Sequence, residues 1–361
     1  MLLCRAVFSL TRSLQHFNYS MELKEAVAVL DGLAAPSLAE SWDNVGLLLQ
    51  PYTQREVKTV FLTNDLSEDV MAEAVEQKAD LILSYHPPLF RPFKRITTGW
   101  KDRIIACCLE KGIAVYSPHT AYDTLKGGVN DWLLKAFDVQ GVTPLQQKDV
   151  SPPYSHQVEA NSAHVPAAED FVQKVTQEFG ERVSVVSNGG KCVKVLCGEQ
   201  ALPTIVNLAN RTPEPPKLVV TKLEKVPLFE HGAGRRAGLR ESITIQEAIS
   251  RVKTHLGLPH IRVAVAQGSK LDSQVKTVAV CAGSGASVLR GAAADLWLTG
   301  EMSHHEVLDA AHNGTTVILV DHSNSERGFL KEELQPTLHQ LFAGKVNVLI
   351  SQQDRDPLQV L

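Results

Sequence analysis

The stretch Val57-Lys58-Thr59-Val60 opens a short apolar run, and it recurs as Val275-Lys276-Thr277-Val278 at the start of a second apolar run. Further along the chain, Ala79-Asp80-Leu81-Ile82-Leu83 recurs as Ala294-Asp295-Leu296-Trp297-Leu298. In each copy the second stretch follows a helical pattern and leads into a segment that contains histidines. Because the landmarks recur in the same order, they indicate an internal repeat.

Short β-rich runs alternate with helical patterns in both copies. A third strand is predicted in each, at 113–117 and at 315–320. Such alternation favours a mostly parallel sheet covered by helices. The sequence therefore predicts an α/β fold with two pseudo-repeated halves, 21–143 and 225–361, each built on a mostly parallel sheet.

Between the halves, a Pro-rich linker at 144–153 leads into a different pattern over 154–224. Its predicted elements, in order, are a strand at 154–160, a helix at 166–179, strands at 182–187 and 191–197, a helix at 199–209 and a strand at 217–224. The turn Asn188-Gly189-Gly190 would join the two middle strands as a hairpin. This βαββαβ order predicts an inserted ferredoxin-like α+β lobe. We interpret the lobe as an interaction or lid module, with a ligand-binding regulatory lobe as the alternative.

Composition excludes several classes of protein. The 361 residues include 36 basic and 40 acidic side chains, a net charge of −4, so no strong basic field is present to attract nucleic acid. No apolar run approaches the roughly 20 residues that a membrane-spanning helix needs. The six cysteines have no CxxC spacing, which indicates reduced thiols rather than disulfides or a zinc site.

Residues 1–20 contain Arg5 and Arg12 but no acidic residue, and their apolar residues recur at helical spacing. This pattern is typical of a mitochondrial presequence. The alternative is an N-terminal tail ahead of a second start at Met21. We expect a cytoplasmic protein that also occurs in the nucleus, with mitochondria as the alternative compartment if residues 1–20 direct import.

Three histidines follow predicted strand ends, where parallel sheets place their ligand sites. His86 precedes two prolines, which stop both strand and helix. The other two begin His-x3-carboxylate pairs, His119 with Asp123 and His322 with Glu326. Imidazole and carboxylate together suit a divalent zinc, iron, manganese or nickel ion. One such pair alone is better explained by a helix cap, but two pairs at equivalent positions of a repeat favour a metal site.

Further polar residues follow the strand that ends at Leu298. Glu301, His304 and His305 are candidates for a general base or for groups that orient the metal ligands. The alternative is that they only begin the next helix. Arg235, in Gly232-Ala233-Gly234-Arg235, is a candidate for binding a substrate anion, although a flexible turn is the simpler interpretation.

Eight short motifs occur in order along residues 22–361. They are Ser41-Trp42-Asp43-Asn44-Val45-Gly46-Leu47, Tyr85-His86-Pro87, Ser117-Pro118-His119-Thr120-Ala121-Tyr122-Asp123, Gly127-Gly128-Val129-Asn130-Asp131, Gly232-Ala233-Gly234-Arg235, Gly283-Ser284-Gly285, Thr299-Gly300-Glu301 and His322-x3-Glu326-Arg327-Gly328. In these motifs the sequence resembles the Nif-three-like family, which also carries the label GTP cyclohydrolase I type 2. The long middle insertion is similar to that of vertebrate-type members.

The resemblance implies a toroidal homo-oligomer, a hexamer or a dimer, of α/β subunits with a dinuclear metal site. By position the implied ligands are His86, Asp123, His322 and Glu326. Many bacterial members have two adjacent histidines where this chain has Tyr85 and His86, so one cation, or one strong and one weak site, is expected. Tyr85 and His119 are the less certain candidates for the remaining coordination.

These expectations lead to two functional hypotheses. The first is a divalent-metal-binding protein that acts as a metal-dependent hydrolase on a small anionic or nucleotide-like substrate. The second is a metal-stabilised oligomeric interaction protein without catalysis, such as a partner of transcription regulators, which the family name implies. Neither hypothesis requires direct binding to nucleic acid or to a membrane.

Overall fold

The computed structural model of the chain describes residues 20–53, 56–150, 154–187 and 189–360. Residues 1–19, which contain nearly all of the segment interpreted above as a presequence or an N-terminal tail, lie outside the described residues, as does Asn188 of the predicted hairpin turn. The chain divides into a larger unit, formed by the residues up to Gln146 and from His231 onward, and a smaller unit, Gln147–Glu230.

In chain order, the elements up to residue 150 are β1 (Met21–Glu22), α1 (Leu23–Leu33), β2 (Gly46–Leu49), β3 (Glu56–Val57), β4 (Thr59–Thr63), α2 (Glu68–Glu76), β5 (Leu81–Ser84), α3 (Trp100–Lys111), β6 (Ala114–Ser117), α4 (Thr120–Thr124), α5 (Val129–Leu134) and β7 (Val139–Val150). A 3-10 helix, Pro36–Leu38, follows α1. Local signals set several of the helix ends. Ser67 accepts a hydrogen bond from the Val70 N–H at the start of α2, and Gly112 ends α3 with φ 71°.

The inserted segment contains β8 (His156–Asn161), α6 (Val165–Phe179), β9 (Ser184–Ser187), β10 (Cys192–Cys197), α7 (Leu202–Asn210) and β11 (Lys217–Lys222). Its strands form an antiparallel sheet in the order β11-β8-β10-β9. Buried residues of both helices, including Phe171 and Ile205, share one hydrophobic cluster with Val158 and Val193 of the sheet. This order is that of a ferredoxin-like βαββαβ unit, as predicted.

The remaining elements are β12 (Val226–Thr244), α8 (Ile245–Leu256), β13 (Arg262–Ala264), β14 (Gln274–Cys281), α9 (Ala286–Leu289), β15 (Leu296–Thr299), α10 (His304–His312), β16 (Thr316–Leu319), α11 (Arg327–Phe329), α12 (Gln335–Leu341) and β17 (Asn347–Ile350). A 3-10 helix, Ser323–Ser325, precedes α11, and a π-helix, Leu330–Leu334, precedes α12. No helix in the described part of the chain is long and apolar enough to cross a membrane.

The two main sheets among the described residues have similar centres. The first sheet has the strand order β17-β4-β5-β6-β2, and among these strands only β2 is antiparallel to its neighbour. The second sheet has the order β13-β16-β15-β14-β12-β7, and its strands β14, β15 and β16 are parallel to one another. The central strands β5, β6, β15 and β16 are buried along their whole length, as expected for parallel strands covered on both faces. The predicted α/β class is confirmed, and the relation between the halves as a repeat stays a prediction.

The repeated Ala-Asp stretch makes the same local contact in both sheets. Asp80 Oδ2 accepts hydrogen bonds from the backbone N–H groups of Lys58 (2.8 Å) and Thr59 (3.0 Å). Asp295 Oδ2 accepts from those of Lys276 (2.8 Å) and Thr277 (2.9 Å). Each aspartate therefore ties the start of one parallel strand to the start of its neighbour.

The C-terminal strand has a place that the sequence did not indicate. β17 pairs in parallel with β4, with Val348 opposite Val60. The second half of the chain therefore supplies an edge strand to the sheet formed by the first half. The carboxyl ends of the strands in both sheets carry the polar residues described next.

Candidate metal centre

Two histidines and one glutamate meet where strand ends of the two main sheets come together. His86 follows β5, whereas His322 and Glu326 follow β16. His86 Nε2 lies 3.3 Å from Glu326 Oε2, and His322 Nε2 lies 3.6 Å from Glu326 Oε1. The ligand atoms of the three side chains all lie within 4.8 Å of one another, so this group could hold a metal ion.

A carboxylate orients each of the two imidazoles. His86 Nδ1 lies 2.9 Å from Asp65 Oδ1, and His322 Nδ1 lies 3.0 Å from Glu301 Oε2. A carboxylate that accepts a hydrogen bond from Nδ1 leaves the Nε2 lone pair free, which is the usual arrangement around histidine ligands of metals. Consistent with this, the buried His86 Nε2 makes no hydrogen bond with the described residues.

The geometry around Glu326 also fits a bound ion. The carboxylate is buried, and Asn64 Nδ2 donates a hydrogen bond of 3.1 Å to its Oε2. On the opposite side, Gly283 has φ 62°, and a Cβ at this position would lie 2.7 Å from Glu326 Oε1 and 3.1 Å from His322 Nε2. A glycine at this position therefore leaves room beside the carboxylate that any other residue would fill.

The charges of the pocket favour a cation. Burial opposes protonation of His86, but the Glu326 and Asp65 carboxylates outweigh burial and raise the pKa of His86 to about 11. Burial likewise opposes ionisation of Glu326, and the facing imidazole of His86 lowers its pKa nonetheless. A positive charge between these carboxylates is thus strongly stabilised, and a divalent cation is one way to supply it.

Asp123 lies beside this group and is held by Tyr85. The buried Tyr85 hydroxyl donates a hydrogen bond to Asp123 Oδ1, and Asp123 lines the same cavity as His322 and Glu326. Burial, together with the charge of Glu326, raises the pKa of Asp123 to about 6. Burial also raises the pKa of Tyr85 well above its usual value, so the phenol is neutral. This favours positioning of Asp123 as the role of Tyr85 over coordination as a phenolate.

His119 belongs to a third carboxylate–imidazole pair. Its Nδ1 lies 2.7 Å from Oδ1 of Asp43, whose side chain is buried. Although burial opposes ionisation of Asp43, hydrogen bonds from His119 and Thr120 lower its pKa. The His119 and His86 ring centroids are 5.4 Å apart. His119 therefore lies at the edge of the centre, outside the group of three whose ligand atoms converge.

Other candidates from the sequence lie elsewhere. His304 and His305 are exposed in the first turn of α10, between Ser303 and Glu306, which form its capping box. Both interpretations of Gly232-Ala233-Gly234-Arg235 are wrong, the flexible turn because the segment lies within strand β12, and anion binding by Arg235 because its side chain is buried and paired. Arg235 is 1% exposed within strand β12, and its guanidinium donates to both carboxylate oxygens of Asp131 (2.9 and 2.8 Å), so it has no access to a ligand.

Sequence reasoning missed Asp65, Asp43 and Asn64. Asn64 and Asp65 follow the end of β4, so the strand-end rule that pointed to His86 could have found them. Asp43 lies in the loop before β2 and contacts His119 across 76 positions of sequence, and its only signal in the sequence is its place in the motif from Ser41 to Leu47, which gave it no role.

Comparison with known proteins assigns the family. The family model Duf34/NIF3 (NGG1p interacting factor 3) matches residues 21–357. The chain belongs to this family. It is 46% identical over 354 residues to NIF3-like protein 1 of Homo sapiens, which covers 94% of this chain and 93% of that protein. It is 31% identical to NGG1-interacting factor 3 of Saccharomyces cerevisiae, covering 89% of this chain and 90% of that protein.

Solved structures of low sequence identity share the fold of this NIF3-family chain. Staphylococcus aureus protein SA1388 superposes with a TM-score of 0.74 at 24% identity, covering 94% of this chain and 99% of that one. Reduced HcgD from Methanocaldococcus jannaschii superposes with a TM-score of 0.59 at 18% identity, covering 92% and 98%. The residues that form the candidate centre are therefore placed by a fold that extends to distant sequences.

Proposed function

We propose that this NIF3-family protein binds a divalent cation between His86, His322 and Glu326, with Asp123 as a further ligand. One observation carries the proposal: two imidazoles, each with Nδ1 held by a carboxylate, turn their Nε2 atoms to one buried carboxylate. Zinc, iron, manganese and nickel all accept such a mixed set of nitrogen and oxygen donors. Imidazole nitrogens make a magnesium or calcium site a poor fit.

We further propose that the protein is a metal-dependent hydrolase with a small anionic or nucleotide-like substrate. A cation held by these side chains would lower the pKa of a bound water and neutralise a substrate anion. The protein residues would supply orientation. Asp65 and Glu301 fix the two imidazoles, and Tyr85 fixes the Asp123 carboxylate. His119, held by Asp43, lies at the edge of the same cavity as a candidate for proton transfer or for a second, weaker cation.

Elemental analysis of the purified protein tests the metal site. Wild-type protein prepared with each metal in excess and then desalted should retain about one equivalent of cation or more per chain. His322→Ala and Glu326→Gln should lower that content, whereas the matched variant His304→Ala, an exposed histidine of α10, should not. The absence of stoichiometric metal in wild-type protein, or full content in Glu326→Gln, would refute the site.

Hydrolysis needs a separate test, because binding of a metal does not establish catalysis. We expect wild-type protein to turn over at least one member of a panel of phosphate esters, nucleotides and cyclic amides, and Glu326→Gln to be inactive on it. A metal-loaded wild-type protein without activity on the panel would favour the second hypothesis.

That second hypothesis is a metal-stabilised interaction protein, and the name of the yeast relative, NGG1-interacting factor 3, supports it. In this case Glu326→Gln should change oligomer stability without removing an activity. A direct binding assay between the purified chain and the NGG1 counterpart, with and without bound metal, tests it. Binding too weak to measure at micromolar concentration would contradict this role.

Three further expectations stay proposals. We expect a homo-oligomer, a hexamer or a dimer, so a monomer mass by light scattering at micromolar concentration would count against it. We expect residues 21–143 and 225–361 to be related halves and 154–224 to be an inserted module. We expect the protein in the cytoplasm and the nucleus. A reporter fused to residues 1–20 that reaches mitochondria would establish the alternative compartment.

A further inference from the structure

Two exposed aromatic side chains border the candidate metal centre. The side chain of Trp42 is 62% exposed and that of Phe90 is 41% exposed. Their ring centroids are 6.1 Å apart, and those of Trp42 and Phe90 lie 6.1 and 6.3 Å from that of His119. All three ring pairs meet edge to face, and a large part of the surface of Trp42 and Phe90 stays exposed. We call Trp42 and Phe90 the aromatic shelf.

The neighbours of both shelf residues are tied down. Asp43, next to Trp42, is held by His119 and by the hydroxyl of Thr120 at 2.5 Å. Asn44 donates a side-chain hydrogen bond to the carbonyl of Leu89, the residue before Phe90. The two loops that carry the shelf are therefore linked to each other and to the centre, and the exposed rings are pre-positioned rather than free at a loop tip. Pre-positioned rings bind a planar ligand at a lower entropic cost.

One cavity joins Trp42 of the shelf to Asp123, His322 and Glu326, three of the proposed metal ligands, whereas Phe90 and His86 do not line it. It has a volume of about 370 Å³, and its lining includes Trp42, His119, Asp123, His322 and Glu326. Pockets of this size hold one small molecule. A ligand that contacts Trp42 therefore also reaches the carboxylate and imidazole between which we place the cation.

The segment that follows Phe90 is positively charged. Residues 91–101 contain Arg91, Lys94, Arg95 and Lys101 and no acidic residue, and all eleven are exposed. Within the described residues, Arg91, Lys94 and Arg95 make no ion pair with a carboxylate. The surface that follows Phe90 in sequence thus attracts anions, because unpaired cations raise the local concentration of negatively charged ligands.

We propose that the aromatic shelf is a ring-binding subsite, and that the ligand of this centre is an anion that carries a planar aromatic or heteroaromatic ring. The ring lies against Trp42 and Phe90, and the anionic group points along the cavity to the cation. The second part rests on the proposed metal site. The shelf restricts the substrate class, because a small anion without a ring would leave both aromatic side chains uncovered.

A pair of ligands that differ only in the ring tests this subsite. Phenylphosphonate and methylphosphonate carry the same anionic group and are not hydrolysed at an ester bond. Calorimetric titration of metal-loaded wild-type protein should give about tenfold tighter binding of phenylphosphonate, the lower range of stacking on an aromatic side chain. The metal content of each sample is measured in parallel, so failure of the metal site is recognised separately.

Variants assign the difference to the shelf. Trp42→Ala should bind the two phosphonates equally, and Trp42→Phe should keep most of the preference. Trp100→Ala is the matched control. Trp100 is another exposed tryptophan, 49% exposed at the start of α3, and it has no ring contact with His119. Thermal unfolding of each variant confirms that it is folded.

Three results would overturn the inference. The first is equal affinity of metal-loaded wild-type protein for both phosphonates. This result would refute the ring-binding subsite without refuting the metal site. The second is no measurable binding of either phosphonate. The third is an equal loss of preference in Trp42→Ala and Trp100→Ala, because a general effect of removing a tryptophan would then explain it.

Discussion

Replacement of Asp65 should weaken metal binding although Asp65 is not itself proposed as a ligand. Its Oδ1 lies 2.9 Å from His86 Nδ1 and fixes the ring so that Nε2 points to Glu326. Asp65→Ala removes the acceptor, which lets the imidazole rotate and change tautomer and also removes a negative charge near the cation. Asp65→Asn keeps an oxygen acceptor without the charge and separates these two effects.

The expected magnitude follows from comparable carboxylate–histidine pairs. Loss of such a partner costs about 10- to 100-fold in metal affinity, or roughly 1.4–2.7 kcal/mol. We expect Asp65→Ala near the upper end of this range, since it also removes the orientation of the ring, and Asp65→Asn near the lower end. The stability of the metal-free fold should change little, because the Asp65 side chain is 45% exposed and partly exposed ion pairs contribute at most about 1 kcal/mol.

Competition with a chromophoric zinc chelator measures the dissociation constants. Asp69→Ala is the matched control, because Asp69 is an exposed aspartate of α2 four positions away. It should bind metal as wild type does. Unchanged affinity in Asp65→Ala, or the same weakening in Asp69→Ala, would refute the role assigned to Asp65. Either result would also remove the strongest argument that His86 Nε2 is a metal ligand.

Three further predictions concern the fold around the site. Gly328→Ala should destabilise the protein by about 1–3 kcal/mol in chemical denaturation, because the added Cβ would lie 2.3 Å from Cζ2 of the buried Trp132. Arg235→Met should cost about 1–3 kcal/mol in the same assay, since it removes both guanidinium hydrogen bonds to Asp131, whose side chain is 25% exposed and keeps the hydrogen bond from the Gly127 N–H. Burial opposes ionisation of Glu73, but hydrogen bonds from a serine hydroxyl and two backbone N–H groups of the C-terminal segment lower its pKa. The contribution of Glu73 to stability is therefore complete above its ordinary pKa of 4.5 and is lost as the pH falls through the lowered pKa. Glu73→Gln should remove this acid dependence in a pH series of thermal unfolding.

Each of these predictions has a defined contrary result. Gly32→Ala is the control for the first, because a Cβ at Gly32 meets nothing within 4 Å, so this substitution in α1 should stabilise by up to about 1 kcal/mol. Equal effects at both glycines would contradict the steric argument. An Arg235→Met variant as stable as wild type would show that Asp131 finds another partner. For Glu73, an unchanged acid limb in Glu73→Gln would mean that other carboxylates cause it.

Local patterns were sufficient for much of the fold and for part of the site. Buried parallel strands are short apolar runs, and helices have their own periodicity and caps, so the α/β class and the ferredoxin-like insertion could be predicted. The same reasoning placed His86, His322 and Glu326 at strand ends. His322 and Glu326 follow the same strand, but His86 follows a strand of the other sheet, so its proximity to them depends on how the two sheets pack and not on order along the chain.

Contacts distant in sequence were decided by the tertiary structure alone. The sequence could not show that β17 joins the first sheet. The four residues of this edge strand do not specify a partner, which is set by how the folded chain packs. Arg235 could not be distinguished from an anion-binding residue, since its partner Asp131 is 104 positions away.

By itself, the amino-acid sequence indicated the family, the α/β class and a set of candidate residues that includes the three that converge, because each of these depends on short-range patterns. Only the tertiary structure decided how those residues are oriented and what lies beside them. Asp65, Asp43 and Glu301 hold their imidazoles across 21, 76 and 21 positions, and Trp42 and Phe90 meet beside His119 through loop conformations that no periodicity specifies. The orientation of a ligand atom depends on hydrogen bonds between segments that approach one another only when the chain is folded.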